Sequence, residues 1–220
     1  MLSSILLIGL AGKMNTEVAL AAGQAGVQVH RISRNALAAG EYVSNIDVII
    51  DFSLPDATPS VINMAVTVKK PLLICSTGHS STHQPLPAIP ICYAPNTSLV
   101  WAQLRACAQA IAANNPNMEI RIDDVHADTK LDSPSGTATE LNNLLHHRST
   151  ITSVRMPRLS SWHTIKFYGH DEVITLEHQV LNRSVYARGA LNIAAKLLEL
   201  PAGIYSGFDK VFLTQDANVP

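Results

Sequence analysis

The fold class expected of this chain is α/β: a doubly wound parallel sheet, joined to a second layer of α+β type. Three observations lead there. Short, continuously apolar runs alternate with helix-length segments through the N-terminal half, a glycine-bearing turn closes the first run, and later runs alternate apolar with polar residues.

Taken in order, Ile5–Ile8 reads as a buried strand, and the turn Gly9–Gly12 leads into a helix reaching about Ala25. Strands are expected at Val27–Ile32, Val48–Phe52, Leu72–Cys75 and Ile91–Ala94. Unbroken hydrophobicity marks strands covered on both faces, which requires a parallel sheet. The connection Ser80–Pro90 carries three prolines and is a poor helix. Trp101–Ala113 reads as a helix. Beyond it, Met118–Ile122 and Glu172–Val180 alternate as half-exposed antiparallel strands do. Ser184–Leu198, rich in Ala and Leu, reads as a helix, and Val211–Leu213 is the last apolar run.

Composition excludes several classes. With 47% hydrophobic and 15% charged residues, the 220-residue chain is a compact protein of one large or two small domains, not a disordered one. A formal charge of −1 gives no pull towards nucleic acid or an anionic membrane, so neither is expected as a partner. Cys75, Cys92 and Cys107 form no C-x-x-C pair, as suits a reduced cytoplasmic protein. The apolar N-terminus lacks a basic leader, and no stretch reaches the roughly 18 apolar residues of a membrane span.

Gly9-Leu10-Ala11-Gly12-Lys13-Met14 lies where a Rossmann-like turn would hold a pyrophosphate on backbone amides and a helix N-terminus. The full G-x-G-x-x-G is absent, because Ala11 replaces the second glycine and Asn15 ends the set, so the turn alone is weak and could be a plain strand-to-helix connection. The second strand ends in Arg31-Ile-Ser33-Arg34 with no acid for a ribose 2′-hydroxyl. Arg34, just past the strand end, is the better residue to fork onto a 2′-phosphate, and NADPH is expected over NADH. The bland alternative is that Arg31 and Arg34 are solvated edge charges.

The densest segment runs from Glu119 to Glu140. A polar loop is expected to leave a strand there, carrying His126 and Lys130, and to enter a helix at Thr137, capped by Thr137 and Glu140. Ser135, Gly136 and Thr137 would offer hydroxyls and amides to a carboxylate at the helix start, Lys130 a cation, and His126 a proton near neutral pH. That combination suits reduction of a small carboxylated imine. The competing reading is a structural histidine and an ordinary helix cap. His163 and His178 show no zinc-ligand spacing, and no metal is expected. His146-His147-Arg148 is read as a helix end whose cations complement the dipole.

His126-x-x-x-Lys130 followed by Asp132-x-Pro-Ser135-Gly136-Thr137-Ala resembles the signature of the dihydrodipicolinate reductases. Asp51-Phe-Ser53-x-Pro55, Cys75-Ser76-Thr77-Gly78, Ala94-Pro95-Asn96-Thr97-Ser98 and Arg183-Ser-Val-Tyr-Ala-x-Gly189-Ala190 resemble further family segments in the right order. The resemblance implies hydride transfer from a nicotinamide to C4 of the ring, with His126 as acid/base residue and Lys130 as second proton donor and substrate cation. It implies Gly136 and Thr137 on a substrate carboxylate, and Gly9–Met14, Cys75–Thr77 and Ala94–Thr97 along the cofactor. It also implies a dinucleotide-binding domain at 1–97 with 184–220, a substrate and oligomerisation domain at 98–183, and a homotetramer. Three positions depart from the pattern. Ala127 stands where a second histidine is usual, and Cys75 and Val100 where glycine is. Two rivals stay open: a different nicotinamide reductase of a small amino or keto acid, and a nucleotide-binding relative without activity.

Overall fold

The computed structural model describes residues 1–43, 45–76, 87–157 and 161–212. The N-terminal run comprises β1 (Ser4–Ile8), α1 (Lys13–Gln24), β2 (Gln28–Ile32), α2 (Arg34–Ala38), β3 (Val48–Asp51), α3 (Thr58–Val68), β4 (Leu72–Ile74) and β5 (Pro90–Tyr93). The middle run is α4 (Leu99–Asn114), β6 (Glu119–Ala127), α5 (Gly136–Leu144), β7 (Ser149–Met156), β8 (Trp162–Tyr168) and β9 (Val173–Gln179). The chain closes with α6 (Ser184–Leu197), β10 (Gly203–Ser206) and α7 (Gly207–Phe212). Two compact units result, Met1–Ser98 with Arg183–Pro220, and Leu99–Asn182.

The first unit holds a six-stranded sheet in the order β10-β5-β4-β3-β1-β2, with every pairing parallel. Every residue of β1, β3 and β4 is buried, which is why these strands read as unbroken apolar runs. Val61, Met64 and Ala65 of α3 pack with Leu6, Ile8, Ile49, Leu72 and Ile74. α1 and α6 pack on each other, and α6 also meets β3, β4 and β5. β10 escaped the sequence reading because Gly-Ile-Tyr-Ser is a short, half-exposed edge strand without an apolar run. Val211 is buried in α7 and not in a strand; Leu213, the end of that apolar run, lies outside the described residues.

Gly189 is fixed by a close approach. A Cβ there would lie 1.7 Å from the Thr97 carbonyl oxygen, while Thr97 Oγ1 donates to the Tyr186 carbonyl at 2.7 Å. α6 therefore grips the Asn96–Thr97 turn backbone to backbone. Gly189→Ala should destabilise the fold by about 1–3 kcal/mol, the usual effect of overpacking. A urea-unfolding midpoint that falls at unchanged slope is the expected reading; an unmoved midpoint would mean that α6 slides freely.

The second unit is a four-stranded sheet in the order β7-β6-β8-β9. β6 pairs antiparallel with β8 and β8 with β9, but β6 and β7 are parallel, joined through α5. The two segments expected as antiparallel strands fall in β6 and β9, and each pairs antiparallel with β8; the parallel β6–β7 pair was not foreseen. β7 was missed because Ser-Thr-Ile-Thr-Ser-Val-Arg-Met carries little apolar signal. Trp101, Ala108 and Ala112 of α4 pack with Ile120, Ile122, Ile165 and Phe167 of the sheet and Ala138, Leu141 and Leu145 around α5. Arg148 does not serve its own helix. It donates to the carbonyls of Ala112 (3.2 Å), Asn115 (3.5 Å) and Pro116 (2.5 Å), satisfying the C-terminal end of α4.

Candidate active site

In the first unit the loops at issue hang from the carboxyl ends of the parallel strands, where open α/β sheets bind ligands. Gly9 N donates to Ile32 O at 2.8 Å, Cys75 N to Asp51 O at 2.8 Å and Ala94 N to Ile74 O at 2.9 Å, so each segment leaves directly from the ladder. Gly9 (φ 101°) and Gly12 (φ 133°) both need the positive-φ region. Asn15 follows directly on the Gly9–Met14 turn. It is buried, and its Nδ2 donates to Ile8 O (3.0 Å) and Gly9 O (3.3 Å), which locks the turn through a side chain. Gly12 is the N-cap of α1 and supplies no side-chain acceptor, so the first amides of that helix face outward uncapped.

Leu10, Ala11, Gly12 and Lys13 are exposed and Met14 is half-buried. Cys75, Ser76, Ala94 and Thr97 are buried, Asn96 half-buried and Pro95 exposed; Thr77 lies outside the described residues. Burial pushes the Cys75 thiol well above its ordinary range, with Cys92 and Asp51 adding to it, so this sulfur is no nucleophile. Arg34 opens α2 behind the Ser33 cap and lies 3.7 Å from Asp56 at an exposed position. Arg31 donates from Nη1 to Leu10 O at 3.1 Å and so ties β2 to the glycine turn.

In the second unit His126 stands on β6, not on a loop. β8 pairs with the strand as far as Val125, opposite Trp162, and β7 carries it on through His126 (opposite Arg155) and Ala127 (opposite Met156), and that ladder outweighs the poor strand propensity of two aspartates. The cap of α5 is also corrected. Ser135 Oγ accepts from Ala138 N at 3.2 Å, and Glu140 forms an ion pair with the buried Arg105 instead of closing a capping box at Thr137. A buried guanidinium needs its carboxylate more than an exposed helix end does.

The centre of this site is a residue the sequence reading passed over. Asp124 is fully buried and collects every neighbouring element. Its Oδ2 accepts from Ser135 N (2.8 Å), Ser153 Oγ (3.0 Å) and Arg155 Nη2 (3.1 Å). Its Oδ1 lies 2.9 Å from His126 Nδ1 and 3.3 Å from His163 Nε2. Burial alone would raise this carboxyl, but hydrogen bonds from His126, His163 and Ser135 outweigh it and hold it well below the ordinary carboxylate range. Burial lowers His163, more than Asp124 raises it, so His163 is held towards neutrality. The signal that could have found Asp124 is the period of two. Ile120 and Ile122 are inward and fully buried, and Asp124 is the next residue on that face.

Lys130 and the start of α5 stand beside this centre. Lys130 Nζ lies 2.8 Å from Asp132 Oδ1, and Asp132 Oδ2 accepts from Gly136 N at 3.1 Å. A carboxylate of the chain thus bridges the cation and one of the amides expected to take a substrate carboxylate. Thr137 is half-buried at the second position of α5. His178 on β9 is the cross-strand partner of His163, and its ring lies 5.7 Å from that of Trp101, which also meets His163 at 5.2 Å. Asp124, His126 and His163 do bring three ligand-type atoms within 4.8 Å. Arg155, paired to the same carboxylate, puts a fixed positive charge beside them, and the trio fits a hydrogen-bonded acid–base cluster better than a cation site.

Comparison with known proteins shows the family and the fold. Residues 3–97 match the family model described as dihydrodipicolinate reductase, N-terminus, and residues 98–212 the one described as its C-terminus. A 4-hydroxy-tetrahydrodipicolinate reductase of Rickettsia peacockii is 32% identical over 188 residues, covering 75% of this chain and 79% of that one. One from Bdellovibrio bacteriovorus is 29% identical over 218 residues, covering 94% and 95%. Among solved structures, dipicolinate-bound dihydrodipicolinate reductase from Paenisporosarcina sp. TG-14 superposes with a TM-score of 0.76 at 19% identity, over 96% of this chain and 100% of that one. The chain belongs to the dihydrodipicolinate reductase family.

Proposed function

We propose that this chain reduces 4-hydroxy-tetrahydrodipicolinate (dihydrodipicolinate) to tetrahydrodipicolinate in lysine and diaminopimelate synthesis, as a cytoplasmic homotetramer using NADPH. In this reading residues 1–97 with 184–220 carry the cofactor, and 98–183 the substrate and the subunit contacts. The observation that carries it is the cluster on β6 and α5: His126 against a buried carboxylate, with Lys130 and the Ser135–Thr137 helix start in the same unit. No helix among the described residues is long and apolar enough to cross a membrane.

The first unit fits a dinucleotide. Gly12 presents an uncapped helix start, and no atom lies within 4 Å of where its Cβ would be, so backbone amides of Gly12, Lys13 and Met14 can close on a pyrophosphate. Ala94–Thr97, gripped by α6, and Cys75–Ser76 would line the remainder. A bound nicotinamide supplies the hydride for C4 of the ring. His126 supplies the proton that completes the reduction. Lys130 and the amides of Gly136 and Thr137 hold a substrate carboxylate, with Ser135 fixing the helix start.

The test is oxidation of NADPH with freshly synthesised 4-hydroxy-tetrahydrodipicolinate. Turnover of a small amino or keto acid instead would install the rival reductase, and cofactor binding without turnover the inactive relative. Preference for NADPH rests on the absence of an acid from Val29 to Asn35 and on Arg34. Arg34→Ala should remove most of the difference between NADPH and NADH, a charge-assisted contact being worth about 1.5–3 kcal/mol, or roughly 10- to 150-fold. Asp56, already near Arg34, places the effect at the lower end. Arg31→Ala should weaken both cofactors alike, because Arg31 holds the glycine turn. Calorimetric titration of both cofactors separates the two; equal wild-type affinities would end the assignment.

A further inference from the structure

We propose that Asp124 is a positioning residue for proton transfer: pinned through Oδ2, it offers Oδ1 to His126 Nδ1 and so leaves Nε2 as the nitrogen that exchanges protons. The inference rests on the reading of His126 as the proton donor, and deepens it. No residue role implied by the resemblance uses this carboxylate, yet it is the most heavily partnered polar group around the site.

The two oxygens are treated differently. Oδ2 is fastened by Ser135 N at the start of α5, and by Ser153 Oγ and Arg155 Nη2 on β7. Arg155 is itself anchored, donating from Nη1 to Asp124 O (3.1 Å) and from Nη2 to Asp132 O (2.6 Å). The carboxylate cannot rotate without breaking these contacts. Oδ1 is left to two imidazoles, from β6 and β8. An ionised carboxylate only accepts, so a ring nitrogen bonded to it must carry hydrogen. His126 in its neutral form is then the Nδ1–H tautomer. The ring is turned off the straight hydrogen-bond line, as acid–base side chains often are before substrate binds. During the reaction the Nε2–H bond of the imidazolium breaks, the proton goes to the substrate, and the electron pair remains on Nε2. Nδ1–H stays with Asp124.

The experiment compares wild type, Asp124→Asn, His126→Gln and the double variant. Asp124→Asn should lower kcat roughly 10- to 100-fold, part of the roughly 10²–10⁴ a positioned proton donor supplies, with KM little changed. In the His126→Gln background the same change should cost no more than about twofold further, since residues acting as a unit are not additive. An equal loss in both backgrounds would make Asp124 merely structural and overturn the proposal. Nitrogen-15 NMR of histidine-labelled wild type gives a readout independent of folding: Nδ1–H is expected for neutral His126, and an Nε2–H tautomer overturns the assignment. Wild-type turnover in His126→Gln is a separate result, and would strike the proton-donor reading beneath it.

Discussion

His126→Gln should lower kcat by roughly 10²–10⁴ while leaving cofactor affinity within about a few-fold, the signature of a lost proton donor. The side chain is half-buried near the end of β6, where His126 is still paired with Arg155 of β7, so its ring is placed by the sheet and not by loop dynamics. Asp124 lies against Nδ1, and the His163 ring packs edge-on at 5.1 Å. Glutamine keeps comparable bulk and can still donate through its amide, but it gives up no proton. Loss should therefore appear in kcat. The segments proposed to hold the cofactor lie in the other compact unit, so cofactor titration serves as the internal control. Wild-type turnover in the purified variant would remove His126 from the mechanism.

What could be read in advance followed the range of the interaction that made it. Ile5–Ile8, 48–50 and Leu72–Ile74 announce themselves because burial on both faces leaves no polar residue in the run. β7 and β10 owe their pairing to neighbouring strands and have no pattern of their own. The site divides in the same way. His126, Lys130 and Ser135–Thr137 fall within one segment and were found together. Asp124 takes its meaning from Ser135, Ser153, Arg155 and His163, residues scattered over three further elements. Asp123-Asp124 in a linear reading is only a polar pair, and it ended the expected strand early. Thr137 with Glu140 shows the opposite error. The local rule was satisfied by sequence, but Arg105, distant along the chain, claimed the glutamate.

Lys130→Met should raise KM and lower kcat together if, as proposed, one ammonium holds a substrate carboxylate and serves as a second proton source. The structure gives this a physical form. Asp132 already spans Lys130 Nζ (2.8 Å) and Gly136 N (3.1 Å), so the chain's own carboxylate shows what geometry those two groups accept. Burial pushes the Asp132 carboxyl up, but the Lys130 contact and the Gly136 amide outweigh it and hold it below its ordinary range. A substrate carboxylate would share or displace these contacts. Losing the charge-assisted part should cost about 1.5–3 kcal/mol, or roughly 10- to 150-fold in kcat/KM. The kcat component follows if the contact strengthens as negative charge develops on the ring, since only such an interaction accelerates the chemical step. Lys130→Arg separates the two roles. It keeps the charge and should recover most of KM, while a guanidinium that stays protonated cannot restore the proton transfer. If Lys130→Met changes stability alone and leaves both kinetic constants untouched, Lys130 is a solvated partner of Asp132, and the substrate carboxylate binds elsewhere.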